Sequence, residues 1–93
     1  MPLTFEWDPR KARTNLVKHG IAFEEAATIF GDPSSLTISD PEQSLAEERY
    51  VTIGKAFAGK LLVVVHTDRG DNIRIISART ASRRERKFYE KST

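Results

Sequence analysis

The stretch Lys60-Leu61-Leu62-Val63-Val64-Val65-His66-Thr67-Asp68-Arg69-Gly70-Asp71-Asn72-Ile73-Arg74-Ile75-Ile76-Ser77-Ala78-Arg79 decides the fold. Lys60 to Thr67 is apolar on both faces, as a strand inside a sheet must be. Arg69-Gly70-Asp71-Asn72 is a turn signal, and Ile73 to Ala78 reads as the returning strand. Toward the C-terminus, Ser82 with Glu85 forms a capping box that opens a last helix. A short terminal helix needs an apolar anchor, which assigns Phe88 to the core.

Toward the N-terminus, Arg49 to Ile53 alternates as a strand, and Ala58-Gly59 is a turn. Leu36 to Ile38 is a short strand, joined to the next by a polar, acidic connection from Asp40 to Ala46. Phe23, Ala26, Ala27 and Phe30 are spaced for an amphipathic helix that ends at Gly31-Asp32-Pro33. Asp8-Pro9 starts an earlier helix, which runs to His19 and stops at Gly20. Ala12 and Leu16 form its inner stripe, and Lys11, Asn15 and Lys18 line another face. Leu3, Phe5 and Trp7 alternate as a half-buried first strand. The order β-α-α-β-β-β-β-α predicts a small α+β domain, an antiparallel sheet with helices packed on it. If the turns centre on Ala58-Gly59 and Gly70-Asp71, then Val51, His66 and Ile75 share a face, with Arg49, Ser77 and Arg79 pointing the same way.

A chain of 93 residues is one domain, 1–93, with one small core. It has no cysteine, which excludes disulfides, thiolate nucleophiles and cysteine metal sites. Its two histidines, His19 and His66, lack zinc-site spacing, so neither a metal nor a cofactor is expected. No signal peptide and no membrane-length apolar run is visible, so a cytoplasmic protein with no membrane partner is expected.

The net charge of +2 hides an uneven distribution. Glu24 to Glu48 holds seven acidic residues and no lysine or arginine, whereas Arg79 to Lys91 holds six basic and two acidic residues. Such asymmetry suits one side of the molecule to a polyanion, although charge runs are ordinarily just solvated faces.

Four constellations bear on chemistry. Lys18-His19 ends the first helix, where the two either simply cap it, as cations suit the helix dipole, or act as a phosphate ligand and a proton-transfer group respectively. Glu48-Arg49 pairs a candidate general base with a cation, or is a surface ion pair. His66 is a lone histidine on an apolar strand, which is more often a core residue than a catalyst. Arg74, Arg79, Arg83 and Arg86 cluster about the last strand and helix, shaped to grip phosphate. Two guanidiniums, Arg79 and Arg83, at one junction call for an anion. Tyr89, with Phe88 beside it, is placed to stack an unpaired base.

Phe5-Glu6-Trp7-Asp8-Pro9-x-Lys11-x-x-x-Asn15-x-x-Lys18-His19-Gly20-Ile21-x-Phe23-Glu24-Glu25-Ala26 resembles the opening of the BrnT family. Glu48-Arg49-Tyr50-x-x-Ile53-Gly54 resembles its middle, and Arg74-Ile75-Ile76-Ser77-Ala78-Arg79-x-Ala81-x-x-x-Glu85-Arg86 with Tyr89-Glu90 its end. The resemblance implies a RelE-like toxin of a bacterial type II toxin–antitoxin module, a hydrolase that cleaves RNA without a metal. It implies inhibition of translation, growth arrest, and neutralisation by a BrnA-type ribbon-helix-helix antitoxin, with DNA reached only through the complex. It supports Lys18, His19, Glu48, Arg49, Arg69, Arg79 and Arg83 as catalytic candidates. Lys11, Arg74, Arg86 and Tyr89 are candidates for RNA binding.

RNA carries its own nucleophile, the 2′-OH. A metal-free enzyme therefore needs a base, cations for the dianionic phosphorane, and an acid for the leaving 5′-oxygen. Arg49, Arg79 and Arg83 are assigned to phosphate stabilisation, Glu48 or His19 to proton transfer, and Lys18 and Arg69 to positioning. Two other readings stand beside this one. The first is a non-catalytic nucleic-acid-binding module. The second is a protein-binding adaptor working through the acidic stretch Glu24 to Glu48.

Overall fold

A computed structural model describes residues 3–40 and 48–92. The predicted connection beyond Asp40, with Glu42 and Glu47, lies outside the described residues. The elements are β1 (Thr4–Glu6), α1 (Pro9–His19), α2 (Phe23–Ala27), a 3₁₀ turn (Thr28–Gly31), β2 (Leu36–Ser39), β3 (Tyr50–Lys55), β4 (Leu61–Arg69), β5 (Asn72–Thr80) and α3 (Arg83–Lys91). The expected order is present. The helix predicted to reach Phe30 gives way after Ala27 to the 3₁₀ turn.

The sheet runs β1-β5-β4-β3-β2. Four strands pair antiparallel, with two-sided β4 at the centre, and β1 adds in parallel to β5, which makes the sheet mixed. The β4–β5 loop is the two residues Gly70-Asp71, and Gly70 supplies the positive φ of 62° that such a tight turn needs.

The predicted face alignment needs correction. The β3–β4 loop spans residues 56–60, closed by the Ala56 N–H on the Lys60 carbonyl, and this sets Val51 opposite Val65. Tyr50, His66 and Ile75 are the partners in register. A bulge then leaves Ile76 unpaired, so Val65 faces Ser77 and Val63 faces Arg79. Val51, Ser77 and Arg79 share one face, and His66 and Ile75 occupy the other.

One face of the sheet carries Leu62, Val64, Ile75 and Ala78 beneath Ile21, Phe23, Ala26 and Ile29 of the α1–α2 layer. Burying a side chain such as Phe23, which has no exposed surface, stabilises the fold by roughly 1.5–3 kcal/mol. Trp7 meets Phe23 edge-on, and Phe5 packs on Phe30. The opposite face carries Ile53, Leu61 and Val63 beneath Tyr89 of α3. α3 packs over that end of its face, whereas Thr67, further along β4, is buried with its hydroxyl on the Glu48 carbonyl.

Two side chains fall opposite to expectation. Leu16 is exposed and Asn15 is buried, so α1 turns Ala12 and Asn15 toward the sheet. Tyr89 is 8% exposed and Phe88 49%, the reverse of the predicted anchor. The Tyr89 hydroxyl donates to Asp32 at 2.6 Å, a bond that phenylalanine could not make. Burial alone would push the Asp32 carboxyl up, but the bonds it accepts from Tyr89, Lys55 and Ser34 together hold it below its usual range.

Candidate nucleic-acid site

β1 stops at Glu6, so the outer edge of β5 beyond Arg74 has no strand beside it. Asn15 takes that place. Its amide donates to the carbonyls of Ala78 at 2.8 Å and Ile21 at 2.9 Å, and its oxygen accepts the Ala78 N–H at 3.0 Å. The carboxamide thus stands in for a peptide unit of a neighbouring strand, and it fixes the roll of α1 against β5. Gly20, at φ 72°, ends α1 and lets the chain reverse to Ile21.

Held in this way, α1 and β5 enclose a groove of about 290 Å³. Arg10, Lys11, Lys18 and His19 line it from the helix, and Ser77 lines it from the strand. Among the described residues, no acidic side chain lines it. Lys11, Lys18 and His19, all exposed, are therefore brought together. Ser77 connects this groove to the sheet face that carries Arg79.

Arg79 already has an anion. Its two terminal nitrogens donate to the two oxygens of Glu85 at 2.7 Å each. Glu85 also accepts the Ser82 N–H, which completes the capping box of α3. The bidentate bond from Arg79, helped by Ser82, holds Glu85 down at about 2, and it raises Arg79 further. The anion expected at the Arg79–Arg83 junction is, for Arg79, a carboxylate of the same chain. Arg83 is exposed in the first turn of α3.

The remaining candidates lie elsewhere. Arg69 pairs with Asn72 at the far end of β4, about 20 Å from Val63, the partner of Arg79, at about 3.3 Å per residue. Arg69 and Arg79 cannot grip one phosphate. Arg74 near Arg69 bonds Glu6 at 2.7 Å, and hydrogen bonds from Asn72 and then Arg74 hold Glu6 below the usual carboxylate range. Glu48 accepts the Tyr50 hydroxyl at 2.8 Å, which raises that phenol. Arg49 is half-buried just ahead of β3. Arg86 borders a different cavity with Lys55 and Tyr89, and Tyr89 itself is in the core.

His66 is 4% exposed, and its Nε2 meets the Thr52 hydroxyl at 2.7 Å. Phe30 stands edge-on to the ring and Tyr50 stacks on it. Burial lowers its pKa, with Asp68 opposing in part. It is a core residue, as a lone histidine on such a strand ordinarily is.

Sequence reasoning missed Asn15 and Glu85 as organisers of the site. Asn15 was visible only as a polar residue between Lys11 and Lys18. Glu85 was visible only as half of a capping box. Among the described residues, no cluster of three or more His, Asp or Glu could hold a metal ion, and no helix is long and apolar enough to cross a membrane.

A family model described as the ribonuclease toxin BrnT of type II toxin–antitoxin systems matches residues 7–85. A crystal structure of the Brucella abortus ribonuclease toxin BrnT is similar at 25% identity and a TM-score of 0.67, over 88% of this chain and 100% of that one. No curated protein matches.

Proposed function

The chain belongs to the BrnT family of ribonuclease toxins of type II toxin–antitoxin systems, and from that premise we propose that it acts as a single, metal-independent endoribonuclease domain centred on the α1–β5 groove. The observation that carries this reading is the Asn15 bridge to Ala78, which sets Lys11, Lys18 and His19 beside Ser77.

Imidazole can take and return a proton near neutral pH, and His19 stands among cations in an open groove. His19 takes the proton of the ribose 2′-OH as that oxygen attacks the adjacent phosphorus. The bond from phosphorus to the 5′-oxygen breaks, the departing oxygen takes a proton from solvent water in the open groove, and His19 returns its own proton to solvent. The product ends are a 2′,3′-cyclic phosphate and a 5′-hydroxyl. Lys11 and Lys18 offset the extra charge of the phosphorane. Arg79, oriented by Glu85, and Arg83 hold the strand as it leaves the groove. Glu48 is occupied by Tyr50 and does not line the groove that His19 lines, which favours His19 as the base. Arg49, Arg69 and Arg74 then bind the strand further along.

An antitoxin of the BrnA ribbon-helix-helix type silences the toxin in the bacterial cytoplasm by covering this cationic groove, and DNA is bound only through that complex. The test is cleavage of RNA by the pure chain with and without EDTA. Activity should persist in chelator, leave cyclic phosphate ends, and fall by roughly 10²–10⁴ in His19→Ala. Expression of the wild type without its antitoxin should arrest growth, and Lys18→Ala with His19→Ala should not. Activity lost to EDTA and restored by magnesium, or an unimpaired His19→Ala, overturns the mechanism.

A further inference from the structure

α3 has an outer stripe that neither folding nor the groove uses. Arg84, Lys87, Phe88 and Lys91 recur at the three- and four-residue spacing of one helix face and line a common open hollow together with Glu90. Phe88, 49% exposed, is the only apolar side chain lining it among the described residues. α3 is already anchored by Tyr89 in the core, by the Tyr89–Asp32 bond and by its capping box. A phenyl ring held outward among three cations adds nothing to that anchorage.

We propose that this face is a stacking platform for an unpaired base of single-stranded RNA. Phe88 lies against the base, and Arg84, Lys87 and Lys91 hold the flanking phosphates. Charge complementarity favours this occupant. A protein partner would find one phenyl and a rim of cations, too little apolar surface for the centre of a stable interface, whereas ring plus cations is the combination that grips single strands. The stripe also continues the path of Arg83, which lies about 7.5 Å from Phe88 along the helix axis at about 1.5 Å per residue. The platform deepens the ribonuclease reading, on which it rests, by naming unpaired RNA as the substrate class. A base inside a duplex has no free face to offer.

The experiment uses the whole chain and a fluorescent 2′-O-methyl RNA, which lacks the nucleophile and cannot be cleaved. Binding is followed by anisotropy for the single strand and for its duplex. Phe88→Ala should weaken single-strand binding roughly tenfold, Phe88→Trp should retain it, and duplex binding should not distinguish the two. Arg84→Ala with Lys87→Ala should lower the salt dependence by about two phosphate contacts. Single-strand binding by Phe88→Ala equal to wild type, or an equal loss on the duplex, overturns the platform. So does a loss confined to antitoxin binding, which would make the face a protein interface. If the wild type cleaves no RNA, the ribonuclease reading fails, while the comparison of Phe88→Ala with Phe88→Trp still decides the platform.

Discussion

Asn15 and Ala78, 63 residues apart, exchange two hydrogen bonds, amide to carbonyl at 2.8 Å and N–H to oxygen at 3.0 Å. Both residues are buried. The pair ends strand addition at the β5 edge and positions α1 in one step. Truncation to Asn15→Ala leaves a buried N–H and two carbonyls without partners. Urea unfolding should show a loss of about 2–4 kcal/mol. Asn15→Asp should be worse, because a carboxylate would face the carbonyls of Ile21 and Ala78.

Gly54 of β3 is a site of close approach. A Cβ there would stand 3.0 Å from the Cβ and 3.1 Å from the carbonyl oxygen of Ile29. Ile29 is fully buried and part of its contact is backbone, so little can yield. Gly54→Ala should cost about 1–3 kcal/mol in the same urea experiment. Gly31→Ala, with open space around it, is the control and should change stability little.

Glu85 gives a pH dependence of known sign. Its carboxyl is held at about 2 against an ordinary value of 4.5, by Arg79 first and Ser82 second. A depressed carboxyl stabilises the fold fully above 4.5 and loses that contribution as pH falls toward 2. Arg79 is 44% exposed, so screening reduces the effect to about 1 kcal/mol. Unfolding measured across this window should be steeper in pH for the wild type than for Glu85→Gln.

His66 acts in the window above. Burial keeps its ring neutral, with the folded pKa below the ordinary 6.5. The unfolded chain takes up the proton first as pH falls, so this contribution is complete above 6.5 and declines below it. His66→Gln, which can still meet the Thr52 hydroxyl, should remove that decline. Stability at about pH 7.5 and about pH 5.5 measures it.

Element order was legible because β4 is apolar on both faces, and because Asp8, Gly20, Ser82 and Glu85 punctuate the helices with unambiguous chemistry. Side-chain facing was less so. Five residues in the β3–β4 loop where a minimal turn has two, and one bulged residue at Ile76, each invert a face, and neither has a compositional mark. Phe88 and Tyr89 exchanged roles because Asp32, 57 residues away, needs a donor at that point. Within the site, Lys18 and His19 were visible as a pair at a helix end. Lys11 was visible on the same helix face as Lys18, but that this face meets Ser77, and that Arg69 lies far from Arg79, follows from tertiary placement alone.

The parallel ladder of β1 on β5 and the Asn15 bridge to Ala78 both join the first residues of the chain to nearly the last. Such contacts are slow to close, since the entropy of a long loop must be given up before they form. A nascent chain that has not yet delivered Ala78 has the lysines and histidine of α1 but no strand to set them against. The groove is therefore a late product of the chain's own synthesis: it cannot exist until the segment that carries Ser77 and Ala78 has emerged and folded back on α1.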